Sequence, residues 1–425
     1  MTLFSNPRAL RTAYPAALQA IMHIRAAQQS RSWLAHWNGL NPGSTPLIDL
    51  PDLARKLGVG ALRLKDESLR SPLGSFKALG APIALVRLLR RRKTGHTLEA
   101  ADLFAGRHAA LLAGTTVISA TDGNHGRALA AAARSVGCPC VIVLHAHVSE
   151  EREQAIAAFG ASIVRIAGNY DDSVAEARRL AEANGWHVVS DTSYKCYEEI
   201  PRDVMQGYAI IAAEIAEQAE AAPGDAPAFT HVFLQGGVGG LAAGVASYFW
   251  EMCGARRPQF IVVEPELADC LLQSARAGHA AVATGSVDSL MAGLACGEAS
   301  PLAWRFLETS VDLFMTVPDA DAVAAMRLLA AGSARDRPVV AGESGVAGLA
   351  GLIALCATDR GVAALDADSR VLVISTEGAT APALYAQLVG ESAGSVLQRQ
   401  GDFSAAAGRP RPTAGTRRLR RPASG

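Results

Sequence analysis

Lysine is nearly missing from this chain of 425 residues: only Lys56, Lys65, Lys77, Lys93 and Lys195 stand among 40 basic residues, and the rest are arginine. Arginine stays protonated in proteins and cannot condense with a carbonyl, whereas a lysine with a lowered pKa can. Each of the five is therefore a candidate for amine chemistry. Charged residues make up 19% and aromatic residues 5%, while half the chain is apolar, which excludes a disordered or fibrous protein. The formal net charge is zero, so there is no excess charge to attract nucleic acid or an anionic membrane. The longest apolar run, 345–357, is too short to cross a bilayer. The opening MTLFSNPRAL lacks the apolar stretch of a secretory signal, and the protein reads as cytoplasmic. Seven scattered cysteines show no zinc-ligand spacing and read as thiols in a reducing compartment, with Cys270 and Cys296 flanking stretches that bear on the site below. No metal is expected, and there is no internal repeat.

The length allows two domains, each with a sizeable core. From about residue 110, short β-rich runs alternate with helical ones. Strands are expected at 115–119, 140–144, 162–166, 187–190, 231–234, 260–263 and 370–375. Helices are expected at 127–135, 150–159, 172–183, 201–218, 241–252 and 345–357. Such alternation implies an α/β fold: open, mostly parallel sheets flanked by helices, with ligands at the carboxyl ends of the strands. Residues 285–302, rich in glycine and small side chains, read as an ordered loop. From about 396 onward the chain reads as a disordered basic tail. Six arginines in the last stretch (Arg409, Arg411, Arg417, Arg418, Arg420, Arg421) meet no acid after Asp402, leaving the chain before them at about −6.

Four stretches carry chemistry. Lys77 lies in SFKALG (75–80), an apolar setting that disfavours an ammonium; taken alone, a snorkelling lysine at a helix start explains it as well. SATDGNHG (119–126) follows a strand and opens a helix, so free amides, Thr121 and Asn124 could hold a carboxylate or a ring hydroxyl; an ordinary helix cap is the plainer alternative. QGGVGG (235–240) also links a strand to a helix. Its four glycines form an amide array suited to a phosphate, and it matches neither the dinucleotide fingerprint nor a P-loop. STEG (375–378) ends the last strand, where a hydroxyl could meet a heteroaromatic nitrogen or simply cap a helix. A reactive lysine, a phosphate cup, a carboxylate-binding turn and a hydroxyl for a ring nitrogen together describe a pyridoxal-phosphate site.

From about residue 45 to 390 the chain resembles the fold-type II pyridoxal-phosphate enzymes, and within them the diaminopropionate ammonia-lyase family. The resemblance is carried by KDES (65–68), SFK (75–77), TDGNHG (121–126), DTS (191–193), IP (200–201), MQGYA (205–209), VEP (263–265), MAGLACGE (291–298), GESG (342–345) and STEG (375–378). It implies that Lys77 carries pyridoxal 5′-phosphate, Phe76 packs near the ring and Asn124 meets the ring hydroxyl. Gly236, Gly237, Val238, Gly239 and Gly240 would cradle the phosphate, and Ser375 or Thr376, with Ser375 slightly favoured, would take the ring nitrogen. Thr121, Asp122 and Asp191 would face the substrate, with the two aspartates serving its two stereoisomers. A carboxylate there attracts a substrate bearing a β-ammonium and can take the Cα proton if burial raises its pKa. Asp191 is equally readable as a helix cap.

The implied domains are 1–88 with 200–395 (large, cofactor-binding) and 89–199 (small), in a homodimer acting on a small amino acid. The implied reaction is α,β-elimination of 2,3-diaminopropionate to pyruvate and two ammonia. Serine or threonine dehydration, and cofactor binding without turnover, are the alternatives. The chain departs from the lyases at Gly74, where asparagine is usual, at Ala379 and Ala381, where aspartates are usual, and at Tyr194, where tryptophan is frequent. These departures bear on substrate choice more than on cofactor binding.

Overall fold

The computed structural model describes residues 1–93, 95–121, 123–146, 148–220 and 227–407. Two sheets organise the chain. The larger contains β1 (Leu3–Ser5), β2 (Leu47–Asp49), β3 (Ala61–Asp66), β8 (His231–Gln235), β9 (Gln259–Pro265), β10 (Leu313–Val317) and β11 (Arg370–Ser375), ordered β1-β10-β9-β8-β11-β3-β2. Its five inner strands run parallel, and the short edge strands β1 and β2 are antiparallel to their neighbours. The smaller sheet contains β4 (Val117–Ala120), β5 (Cys140–Leu144), β6 (Ser162–Arg165) and β7 (His187–Val188), ordered β6-β5-β4-β7 and all parallel.

Parallel strands covered on both faces cannot alternate polar and apolar residues, because neither face meets water. β4, β5, β8 and β10 are accordingly buried at every position. The fold is the α/β class expected. Among the described residues, sequence periodicity places seven of the eleven strands; β1, β2, β3 and β10 are not among those expected. The loop expected over 285–302 contains a 3₁₀ turn at Ala292–Leu294 and gives way at Pro301 to the helix Pro301–Ser310, capped by Ser300.

One expectation is overturned. The chain does not lose regular structure at 396: Ala393–Ala407 is a helix. Val396 on it is fully buried, and the Gln400 amide one turn later donates to the Pro338 carbonyl at 2.9 Å. Residues four apart share a helix face, so these two help dock the helix. The six tail arginines lie outside the described residues. Among the described residues no helix is long and apolar enough to cross a membrane.

A buried ionic cluster locks β3 to the helix Glu199–Gln218. Lys65, with no exposed surface, donates to the Thr45 carbonyl at 2.7 Å, Glu214 at 2.8 Å and Gln218 at 2.9 Å. Arg70 bonds both Glu67 and Glu214. Every charge in the cluster has a partner, which buried charges require.

Candidate active site

Lys77 sits in the 3₁₀ turn Phe76–Leu79, entered from an extended Ser75. That turn is stitched to the end of β11. The Phe76 N–H donates to the Thr376 carbonyl at 3.0 Å, and the Gly378 N–H donates to the Gly74 carbonyl at 2.9 Å. Both bonds satisfy backbone groups that would otherwise be buried unpaired, and they hold the lysine at the carboxyl end of a parallel strand. Phe76 and Tyr208 wall it in: their ring centroids are 4.6 Å apart, and Nζ of Lys77 lies 5.3 and 5.7 Å from them.

Lys77 is ion-paired with Asp191, which follows β7 of the smaller sheet. Burial pushes the Lys77 amine down, but the Asp191 carboxylate outweighs it and holds the amine above the ordinary lysine range. Burial likewise pushes Asp191 up, and Lys77, aided by His125, brings it down to about 2. His125 is buried. Its Nε2 is 2.8 Å from the Val189 carbonyl, which can only accept, so that nitrogen carries the proton. Nδ1 lies 3.8 Å from Asp191 Oδ2 and makes no hydrogen bond.

The turn after β4 is a helix entry, as expected. Gly123 has φ +143 and leads into the helix Asn124–Val136. Thr121 is turned inward: its hydroxyl accepts from the Gly123 and Gly126 amides at 3.0 and 3.1 Å, so it builds the turn, although it also borders the cavity. Asn124 reaches across to Glu377, its amide donating to Oε2. Asp122 lies outside the described residues.

The glycine loop crosses from β8 to the helix Gly240–Cys253. Gly239 makes the turn with φ +100, a left-handed conformation that strains other residues. Gly237, Val238, Gly239 and Gly240 line the cavity. Gly236 does not: its N–H is spent on the Val263 carbonyl at 2.8 Å, which extends the sheet. At the opposite wall Thr376 lines the cavity, whereas Ser375 is buried behind it with its hydroxyl 3.4 Å from the Glu377 carbonyl.

Several lining residues carried no assigned role in the sequence reading: His125, Tyr208, Glu377, Arg152 and Ser344. All but Arg152 lie inside the motifs quoted above, so the signal was present without an assignment. Arg152 had none. It comes from the helix Glu150–Ala157 and donates to Glu343 at 2.6 Å. Burial and the neighbouring Glu377 push Glu343 upward in spite of that guanidinium. Cys296 lines the cavity and the Cys270 thiol is 3.4 Å from the Gly237 carbonyl; neither is in a disulfide.

This cavity suits a phosphorylated aromatic aldehyde. An amine lines it beside two aromatic rings, and helix-start amides form one wall. The cradle is tight: a Cβ at Gly237 would sit 3.2 Å from the Gly293 carbonyl oxygen. The family described as pyridoxal-phosphate dependent enzyme matches residues 40–377. The chain belongs to these enzymes, in the fold-type II arrangement, and its cofactor is pyridoxal 5′-phosphate.

More specific likenesses follow. The diaminopropionate ammonia-lyase of Salmonella typhimurium is 38% identical over 359 residues, covering 82% of this chain and 88% of that protein. The crystal structure of the Escherichia coli diaminopropionate ammonia-lyase in complex with an aminoacrylate-PLP azomethine reaction intermediate superposes with a TM-score of 0.80 at 35% identity. It covers 91% of this chain and 96% of that one. Maize serine racemase, at 19% identity and a TM-score of 0.67 over 91% of this chain and 99% of its own, shares the fold alone. Within the pyridoxal-phosphate enzymes, the chain belongs to the diaminopropionate ammonia-lyase family.

Proposed function

We propose that this enzyme eliminates the β-amine of 2,3-diaminopropionate, yielding pyruvate and two molecules of ammonia. The observation that carries the reading is the buried Lys77–Asp191 pair, an amine and a carboxylate held together in a cavity of family character. The bound cofactor supplies an electron sink for the charge that develops at the substrate Cα. Lys77 is the residue that would carry it, with Phe76 and Tyr208 fixing the direction of the amine. Gly237 to Gly240 would hold the phosphate through helix-start amides, Asn124 the ring hydroxyl, and Thr376, which reaches the cavity where Ser375 does not, the ring nitrogen.

Asp191 takes the Cα proton on one face of the substrate. Burial works to raise its pKa, and the charge on Lys77, aided by His125, holds it near 2, so it becomes a stronger base once the Lys77 charge is engaged elsewhere. Asp122 serves the opposite face. Asp191 and Glu377 place negative charge beside the substrate's β-ammonium, which favours a diamine over serine or threonine. The family resemblance further supports a cytoplasmic homodimer.

The test is pyruvate release from both enantiomers of diaminopropionate, from serine and from threonine. Diaminopropionate is expected to be turned over much faster than either hydroxyamino acid; the reverse order overturns the reading in favour of a dehydratase. Asp122→Asn and Asp191→Asn should each abolish turnover of a different enantiomer. Equal losses on both would remove the assignment of separate bases.

A further inference from the structure

Away from the catalytic cavity, a second depression lies between the helix Ile24–Leu34, the helix Ala81–Arg92 and the start of the helix Glu199–Gln218. Five guanidinium groups border it: Arg25, Arg87, Arg90, Arg91 and Arg202. A single carboxylate, Asp203, lines it and is shared by Arg87 at 3.3 Å, Arg91 at 2.7 Å and Arg202 at 3.5 Å. Glu199 at the rim adds a second acid, 3.1 Å from Arg91 and 3.9 Å from Arg202. Five positive charges thus meet two negative ones, and Arg25 and Arg90 have no carboxylate within ion-pair distance among the described residues.

The donors are also in excess. Nη2 of Arg91 is buried and makes no hydrogen bond, while its Nε is ion-paired with Glu199 at 3.1 Å. Leaving buried donors of a charged group unmet is costly, and such an orphan asks for an acceptor. Arg87 is held rigidly by Gln29, Ser30, Gln206 and the Ala26 carbonyl. Arg90 lies over the Trp33 ring at 4.5 Å. Planar guanidinium forks pair with the oxygens of carboxylates and phosphoryl groups alike, and the unbalanced positive charge here favours the more highly charged phosphoryl group.

We infer that this depression is an anion site for a phosphoryl group, separate from the phosphate cradle of the cofactor. The phosphoryl group comes either from free phosphate or from a nucleotide, which share the chemistry read here. The test uses the holoenzyme, whose cofactor cradle is already filled. Inorganic phosphate and adenosine triphosphate are titrated separately by calorimetry at low salt. One saturable site per chain for either probe is expected, the tighter probe identifying the source. In the double variant R25Q/R90Q binding should weaken about tenfold or more, as expected for loss of charge-assisted bonds, with turnover and Tm unchanged. R25Q alone, at an exposed side chain, gives the same readout if the double variant does not fold. No saturable binding of either probe, or binding that these substitutions leave unchanged, overturns the inference.

Discussion

Asp191→Asn isolates what sets the reactivity of Lys77. In the structure two influences oppose each other: burial lowers the amine's pKa, and the adjacent Asp191 carboxylate raises it beyond the ordinary lysine value. Replacing the carboxylate with an amide of the same shape removes the second and leaves the first. An opposite charge in contact moves a pKa by about 1 to 3, each whole unit being about 1.4 kcal/mol. The amine of the apoenzyme should therefore become neutral about one to three pH units lower in the variant. Only the neutral amine attacks an aldehyde, so covalent uptake of pyridoxal phosphate at Lys77 should proceed at correspondingly lower pH. The assay follows cofactor absorbance in apoenzyme over about pH 6 to 10, with Tm as a control for folding. An unchanged midpoint would mean that the ion pair does not govern Lys77. The pair also bears on stability. Asp191 sits at about 2 against 3.8 unfolded, so its contribution is present above about pH 4 and is lost as pH falls through about 2.

Two further perturbations probe the scaffold beneath the site. Lys65→Met removes an ammonium with three acceptors but leaves Glu214 its two bonds from Arg70, so urea unfolding should show a loss of about 3 kcal/mol; Arg70→Met, which strips both Glu67 and Glu214, should cost more. Wild-type stability in the first variant would show that Arg70 alone compensates Glu214. Burial raises Asp66 to about 6 from 3.8, so the proton it holds favours the folded state below about pH 4, and that advantage disappears as pH rises through about 6. Asp66→Asn, which keeps the oxygen that accepts from Ser68, should therefore gain roughly 3 kcal/mol on the wild type between pH 4 and pH 7, and a difference independent of pH would contradict a buried, half-titrating Asp66.

The sequence alone determined the class of fold and pointed to Lys77 and the glycine loop as candidates for the cofactor site, because each is a local signal. Parallel strands buried on both faces must be apolar along their length, as β5 and β8 are. A strand that runs into four glycines and then a helix has little use except to bring backbone amides close to an anion. The scarcity of lysine left five candidates, and the neighbouring motifs picked Lys77 from among them.

What the sequence left open depends on contacts between distant segments. Gly236 and Gly237 are chemically identical neighbours, yet only Gly237 faces the cavity, because the Gly236 amide is taken by β9. Ser375 and Thr376 both carry hydroxyls, and the end of β11 turns the second one inward. The helix at Ala393–Ala407 has no legible periodicity and forms because Val396 and Gln400 find a surface to dock on. Most of all, tertiary structure decided the charge on Lys77. Its own neighbours are apolar and argue for a neutral amine; Asp191, 114 residues away, makes it an ammonium.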